Sequence, residues 1–245
     1  MGMVNKERQR KHILQGIFFP FILIALLGLT ACETMVLNQP PNQSNSYPSD
    51  PGFPQSMAED FILNSTVNIT RFTIWGVYAG NGIPTPLTDN FSVIIHADSA
   101  GLPGTPISTQ NNVPFFSQPT GGTVGGLPEY VFYITLSTPV TLTPGRYWVE
   151  IYNDTTADAA NIFAWETGTL DPINGISNCA FSSIVPGNNW SAPAAGPINL
   201  AIEIWAIPIN VQAVPTMSGW GIMIFAVLVG SGTVCYIRKQ KRTKS

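Results

Sequence analysis

The chain has 245 residues, 44% hydrophobic and only 10% charged, with 22 Gly and 21 Pro. That length holds one ordinary domain with appended segments, and the low charge with so many helix breakers excludes a coiled coil or helical bundle. Two His and three Cys leave no material for a Cys/His zinc module.

Nine of the eleven basic residues lie at the two ends: Lys6, Arg8, Arg10 and Lys11 at one, Arg238, Lys239, Lys241, Arg242 and Lys244 at the other. Between Glu33 and Ala213 only Arg71 and Arg146 face thirteen acids. A surface so poor in cations cannot neutralise phosphates, so no nucleic-acid partner is expected.

In chain order, a cationic start leads into the apolar run 13–31 (ILQGIFFPFILIALLGLTA). This pattern predicts a secretory signal peptide over residues 1–32, with a retained transmembrane helix as the alternative. Leu29-Thr30-Ala31-Cys32 resembles the lipobox of bacterial lipoproteins, which makes Cys32 a candidate lipidation site; ordinary cleavage after Ala31 leaves nearly the same product. Residues 33–55 are rich in Pro, Asn and Ser and are expected to be a flexible linker.

From Ser56 the text changes. Val67–Tyr78, Phe91–His96, Tyr130–Leu136, Arg146–Tyr152, Asn161–Trp165 and Ile198–Ile207 read as strands, rich in β-branched and aromatic residues. Asp98-Ser99-Ala100-Gly101 is a turn signal, and Thr138–Gly145 reads as a short edge strand closed by Pro144-Gly145. In the last strand Leu200, Ile202, Ile204 and Ala206 alternate with Ala201, Glu203 and Trp205, giving one wholly apolar face. Seven or eight such strands without an amphipathic helical stretch predict an all-β antiparallel β-sandwich, jelly-roll-like, over residues 56–207. Cys179 then stands alone in the domain and is expected to be a small buried apolar residue.

After a linker at 208–213, Val214-Pro215-Thr216-Met217-Ser218-Gly219-Trp220-Gly221 precedes an uncharged apolar run and the tail RKQKRTKS. Trp220–Ile237 as a helix spans roughly 27 Å, close to the ~30 Å hydrocarbon core of a bilayer. Basic flanks at both ends place both inside and the acidic middle across the membrane. Residues 214–245 resemble the IPTL-CTERM class of bacterial sorting signals, related in plan to PEP-CTERM, with Val214, Met217 and Gly219 departing from the usual I-P-T-L-S-E-W-G. The resemblance implies recognition by an exosortase-like membrane transpeptidase that cuts near the motif; a plain single-span anchor is the alternative.

The middle also resembles a family of secreted bacterial β-sandwich domains of unassigned function. The matching phrases are Ala58-Glu59-Asp60-Phe61, Trp75-Gly76-Val77-Tyr78, Asp89-Asn90-Phe91-Ser92-Val93, Ser99-Ala100-Gly101-Leu102-Pro103-Gly104, the strand Pro139–Val149, and Trp165 and Trp190. This resemblance implies a fold and no activity.

Chemistry-bearing residues are sparse. His96 is the sole histidine after the signal and no G-x-S-x-G elbow accompanies it. Glu150, Glu166 and Glu203 are the acids that a glycosidase would need as a pair. Asp89, Asn90 and Asp98, and separately Asn153, Asp154 and Asp158, could supply calcium oxygens, although Asp and Asn at such places ordinarily serve turns. Of Trp75, Trp148, Trp165, Trp190 and Trp205, Trp148 is expected in the core. Loop-borne Trp190 with Asn188 and Asn189 is the candidate platform for a glycan, since stacking on a sugar needs an exposed ring beside polar groups. The sequence thus predicts a non-catalytic exported surface or matrix protein without cofactor. Its expected partners are the membrane, an exosortase-like processing enzyme and, in the alternative reading, an extracellular polysaccharide.

Overall fold

The computed structural model describes residues 32–80, 89–158, 161–173, 178–194 and 196–209. The signal segment before Cys32 and the sorting motif Val214–Gly221 with its apolar run and basic tail lie outside the described residues, as does all of the second compact unit from Ile209 except its first residue.

The unit ending at Pro208 is all-β, with two antiparallel sheets in a β-sandwich-like arrangement. Its strands are β1 (Thr34–Gln39), β2 (Pro41–Pro48), β3 (Ser56–Leu63), β4 (Val67–Gly80), β5 (Phe91–Ser99), β6 (Leu102–Gln110), β7 (Phe115–Val124), β8 (Leu127–Leu142), β9 (Gly145–Asn153), β10 (Asn161–Gly168), β11 (Cys179–Ser182) and β12 (Ile202–Pro208). The five-stranded sheet runs β11-β3-β9-β5-β6. In the seven-stranded sheet the long β4 pairs with β8 along one edge, with β12 and then β10 along the other; β1, β2 and β7 are added outside them.

The period-two pattern explains the layers. On β5, Phe91, Val93 and Ile95 enter the main core, and on β9 Val149 and Ile151 do so. Facing them are Phe72 and Ile74 of β4, Phe132 and Ile134 of β8, Phe163 and Trp165 of β10, and Leu200, Ile202, Ile204 and Ala206 around β12. The Phe91 ring lies 5.0 Å from Phe115, 5.1 Å from Phe132 and 5.3 Å from Phe163, joining one sheet to the other. Each such side chain contributes about 1.5–3 kcal/mol by leaving water.

Two expectations need correction, and a third is met in an unexpected place. Residues 33–55 are not a linker: β1 and β2 are strands, Leu37 is 1% exposed, and Ser49 and Asp50 are fully buried. Pro and Asn deceived the composition argument because these are outer strands that lean on bulges and side-chain bonds rather than on a periodic apolar face. Thr138–Leu142 is not a separate edge strand either; it continues β8, and Val140–Leu142 pairs with Val67–Ile69 of β4 after a shift in register. Trp148 is fully buried as expected, yet it packs with Ala58 and Ala180 on the outer side of the five-stranded sheet, not between the sheets.

Candidate functional site

That outer side is where most chemistry-bearing residues gather. Residues two apart on a strand share a face, and neighbouring strands bring those faces together. Strand β3 supplies Ser56, Ala58 and Asp60; β9 supplies Arg146, Trp148 and Glu150; β5 supplies His96 and Asp98.

His96 is 2% exposed and both its nitrogens are engaged. Nδ1 lies 3.1 Å from the Gly104 carbonyl, which can only accept, so Nδ1 carries a hydrogen. Nε2 lies 3.0 Å from Glu150 Oε2, and one further proton is held between them. Glu150 Oε1 accepts from the Ser56 hydroxyl at 2.5 Å and from the Gly187 amide at 2.8 Å. The hydroxyl therefore donates to the acid and not to the imidazole, which is a different arrangement from a Ser-His-Asp nucleophile. Beside this group, Arg146 binds Asp60 Oδ2 through Nε at 2.9 Å, and Trp148 Nε1 donates to Asp98 Oδ1 at 2.9 Å. Asp60 Oδ1 is buried without a partner. Burial raises Asp60 from 3.8 to about 6, against the downward pull of Arg146.

Trp190 belongs to this cluster. Its ring meets the His96 ring edge-on at 5.8 Å and fills the space left by Gly187, where a Cβ would collide with the indole. It is half-buried as a cover, while Asn188 and Asn189 are exposed beside it.

The remaining nominated residues are dispersed. Cys32 is exposed; Cys179 is buried in the main core, where desolvation raises its thiol. Glu203 accepts from Trp205 Nε1 at 3.1 Å, and Glu166 is fully buried opposite Glu129, so Glu150, Glu166 and Glu203 occupy three separate surroundings. Asp89, Asn90 and Asn153 do meet, but their oxygens are taken: Tyr78 and the Asn153 amide donate to Asp89 at 2.6 Å each, and Asn153 Oδ1 accepts from the Asn90 amide at 2.7 Å. Asp154 caps Thr156, and the side chain of Asp158 lies outside the described residues. Asp154 thus serves a turn, as Asp and Asn ordinarily do, while Asp89 and Asn153 tie β4, β5 and β9 together across the chain. Trp165 is buried, with Nε1 bonded to the Ala201 carbonyl at 2.9 Å.

A surface that sequence reasoning missed lies on the outer face of the seven-stranded sheet. Phe116, 61% exposed, stacks on Tyr133 at 6.1 Å and 21°. Tyr133 stands opposite Thr73, which stands opposite Glu203. On the same face lie half-exposed Trp75 and Trp205, the latter beneath the Arg71 guanidinium at 4.1 Å. Trp75 and Trp205 were visible as tryptophans; that Phe116 and Tyr133 join them follows only from strand pairing. Neither models of known protein families nor the curated proteins give a match to this chain.

Proposed function

We propose that the chain is an exported bacterial surface or extracellular-matrix protein whose jelly-roll-like β-sandwich body is a non-catalytic display domain. A signal peptide takes it across the membrane and residues 214–245 deliver it to an exosortase-like transpeptidase. The observation that carries this reading is the division of charge: nine basic residues at two apolar ends, two in an acidic body. The pairing inside that body supports it, since His96 is bonded to Glu150 and Arg146 to Asp60. Replacing Pro215 and Trp220 is expected to leave uncut, membrane-held protein, while the parent loses its basic tail, read by intact mass and fractionation. Identical fractionation of the two would reduce the tail to a simple anchor.

A second reading, binding of an extracellular polysaccharide, draws on the exposed aromatic face. Four rings on one sheet face, flanked by Gln118, Arg71 and Glu203, offer stacking surfaces beside hydrogen-bonding groups. This moves the candidate platform away from Trp190, which is occupied as a cover. On a glycan array, Phe116→Ala and Tyr133→Ala are each expected to weaken binding about ten-fold, about 1.4 kcal/mol per lost stacking ring. Absence of binding by the parent, or binding indifferent to both changes, would remove this reading.

A further inference from the structure

Glu129 of β8 and Glu166 of β10 are 3% and 0% exposed on the outer side of the seven-stranded sheet, and Gln43 reaches both carboxyls, Glu166 through its backbone amide and Glu129 through its side-chain amide. Glu166 Oε1 accepts the Gln43 amide at 2.7 Å, but its Oε2 receives no hydrogen bond at all. No cation of the folded body is available to the pair: Arg71 is bound to Glu33 and Arg146 to Asp60. Two buried acids of one sign are costly side by side unless one keeps its proton or a cation lies between them.

The chain around them is shaped for an occupant. The β7–β8 ladder loses register between Pro119 and Thr123, and the resulting bulge, with Gly121 at φ 86°, turns the Thr120 hydroxyl onto Glu129 Oε2. The β10–β2 ladder loses register after Glu166, and the β2 bulge places Gln43 at φ 55° with its side-chain amide 3.5 Å from Glu129 Oε1. The two bulges belong to different outer strands and converge on the same two acids. Gly122 lets the β7 backbone close onto this group, for a Cβ there would lie 2.5 Å from the Gln43 amide nitrogen and 2.8 Å from Glu129 Oε2.

We propose that Glu129 and Glu166 bind a calcium ion beneath these two bulges. The donor set is all oxygen: both oxygens of Glu129, Oε2 of Glu166, the Thr120 hydroxyl and, after rotation of its amide, Gln43 Oε1, with water for the rest. Such an irregular set suits calcium, which accepts six to eight oxygens flexibly, better than magnesium, which requires a near-ideal octahedron. The ion joins β2, β8, β7 and β10 in a body whose described cysteines are both free, so it acts as the cross-link that no disulfide supplies.

The test uses the full-length chain purified in detergent, stripped with a chelator and titrated with calcium chloride, following heat of binding and thermal unfolding. One site with a dissociation constant of about 0.1–1 mM, the range of extracellular calcium modules, and a rise in unfolding midpoint are expected. Glu129→Gln and Glu166→Gln each abolish both responses. Gly122→Ala, whose Cβ crowds Glu129 Oε2 and the Gln43 amide but leaves every ligand's chemistry in place, weakens them and carries the test if an acid variant fails to fold. The absence of any response up to about 10 mM calcium would show that the pair holds a shared proton instead and would overturn the site. A response that survives both acid substitutions would overturn it equally.

Discussion

Asp60 is fully buried on β3, with Arg146 on one oxygen and nothing on the other. Desolvation outweighs the guanidinium and lifts the acid from 3.8 to about 6, with Asp98 adding to the rise. A carboxyl raised on folding contributes stability that is complete below pH 3.8 and is lost as pH rises through about 6. The unfolding midpoint is therefore expected to fall between about pH 4 and 7, this residue supplying up to about 1.4 kcal/mol per pH unit. Asp60→Asn should flatten that part of the profile; a profile unchanged by the substitution would show that Arg146 and Asp98 compensate the charge fully. Nothing in the phrase Ala58-Glu59-Asp60-Phe61 reveals this. Alternation shows that Glu59 and Asp60 point to opposite faces, but not that both faces are covered. Glu59 lies in the main core, held by Gln39 Nε2 at 2.8 Å and the Leu200 amide at 2.8 Å, and burial raises it well above the carboxylate range.

Strands were legible where their residues alternate and illegible where their stability comes from elsewhere. β4, β5, β9 and β10 could be read from β-branched and aromatic runs, and the Asp98–Gly101 turn from its residue types, Ala100 and Gly101 both taking positive φ. The segment 33–55 hid two strands because their ladders to β12 and β10 carry no alternating apolar face and buried side chains anchor the connection after them. Asp50 alone accepts from the Gly52 amide at 2.7 Å, the Thr155 hydroxyl at 2.6 Å and the Phe163 amide at 2.8 Å, tying the β2–β3 connection to β10. Ser49 adds bonds to the Ile151 carbonyl and the Met57 amide. Asp50→Ala strands these buried donors and is expected to cost about 2–4 kcal/mol in denaturant unfolding. A loss below about 0.5 kcal/mol, the size typical of surface changes, would restore the linker reading.

For the whole molecule, charge and fold divide the work. The acidic body folds around apolar faces that any aqueous compartment supports, so under the sorting proposal its destination is set by the ends. The expected difference in intact mass between the parent and the Pro215 and Trp220 variants is a property of the full chain for that reason: the change lies outside the sandwich-like body, and the body should fold identically in both. The aromatic face and the acid pair sit on this body independently of its route, so loss of calcium binding or of glycan binding leaves the sorting proposal intact.

Order along the chain was sufficient for the all-β class, for the core strands other than β3 and for the segregation of basic ends from acidic middle, because period, turn chemistry and net charge are local quantities. Only the tertiary structure decided that Trp190 covers His96 instead of facing solvent, that Phe116 and Tyr133 join Trp75 and Trp205, and that Glu129 meets Glu166. Each of these depends on which strand lies beside which and on what returns over the outer faces. Alternation gives every strand two faces, and it takes the rest of the fold to cover one and leave the other open.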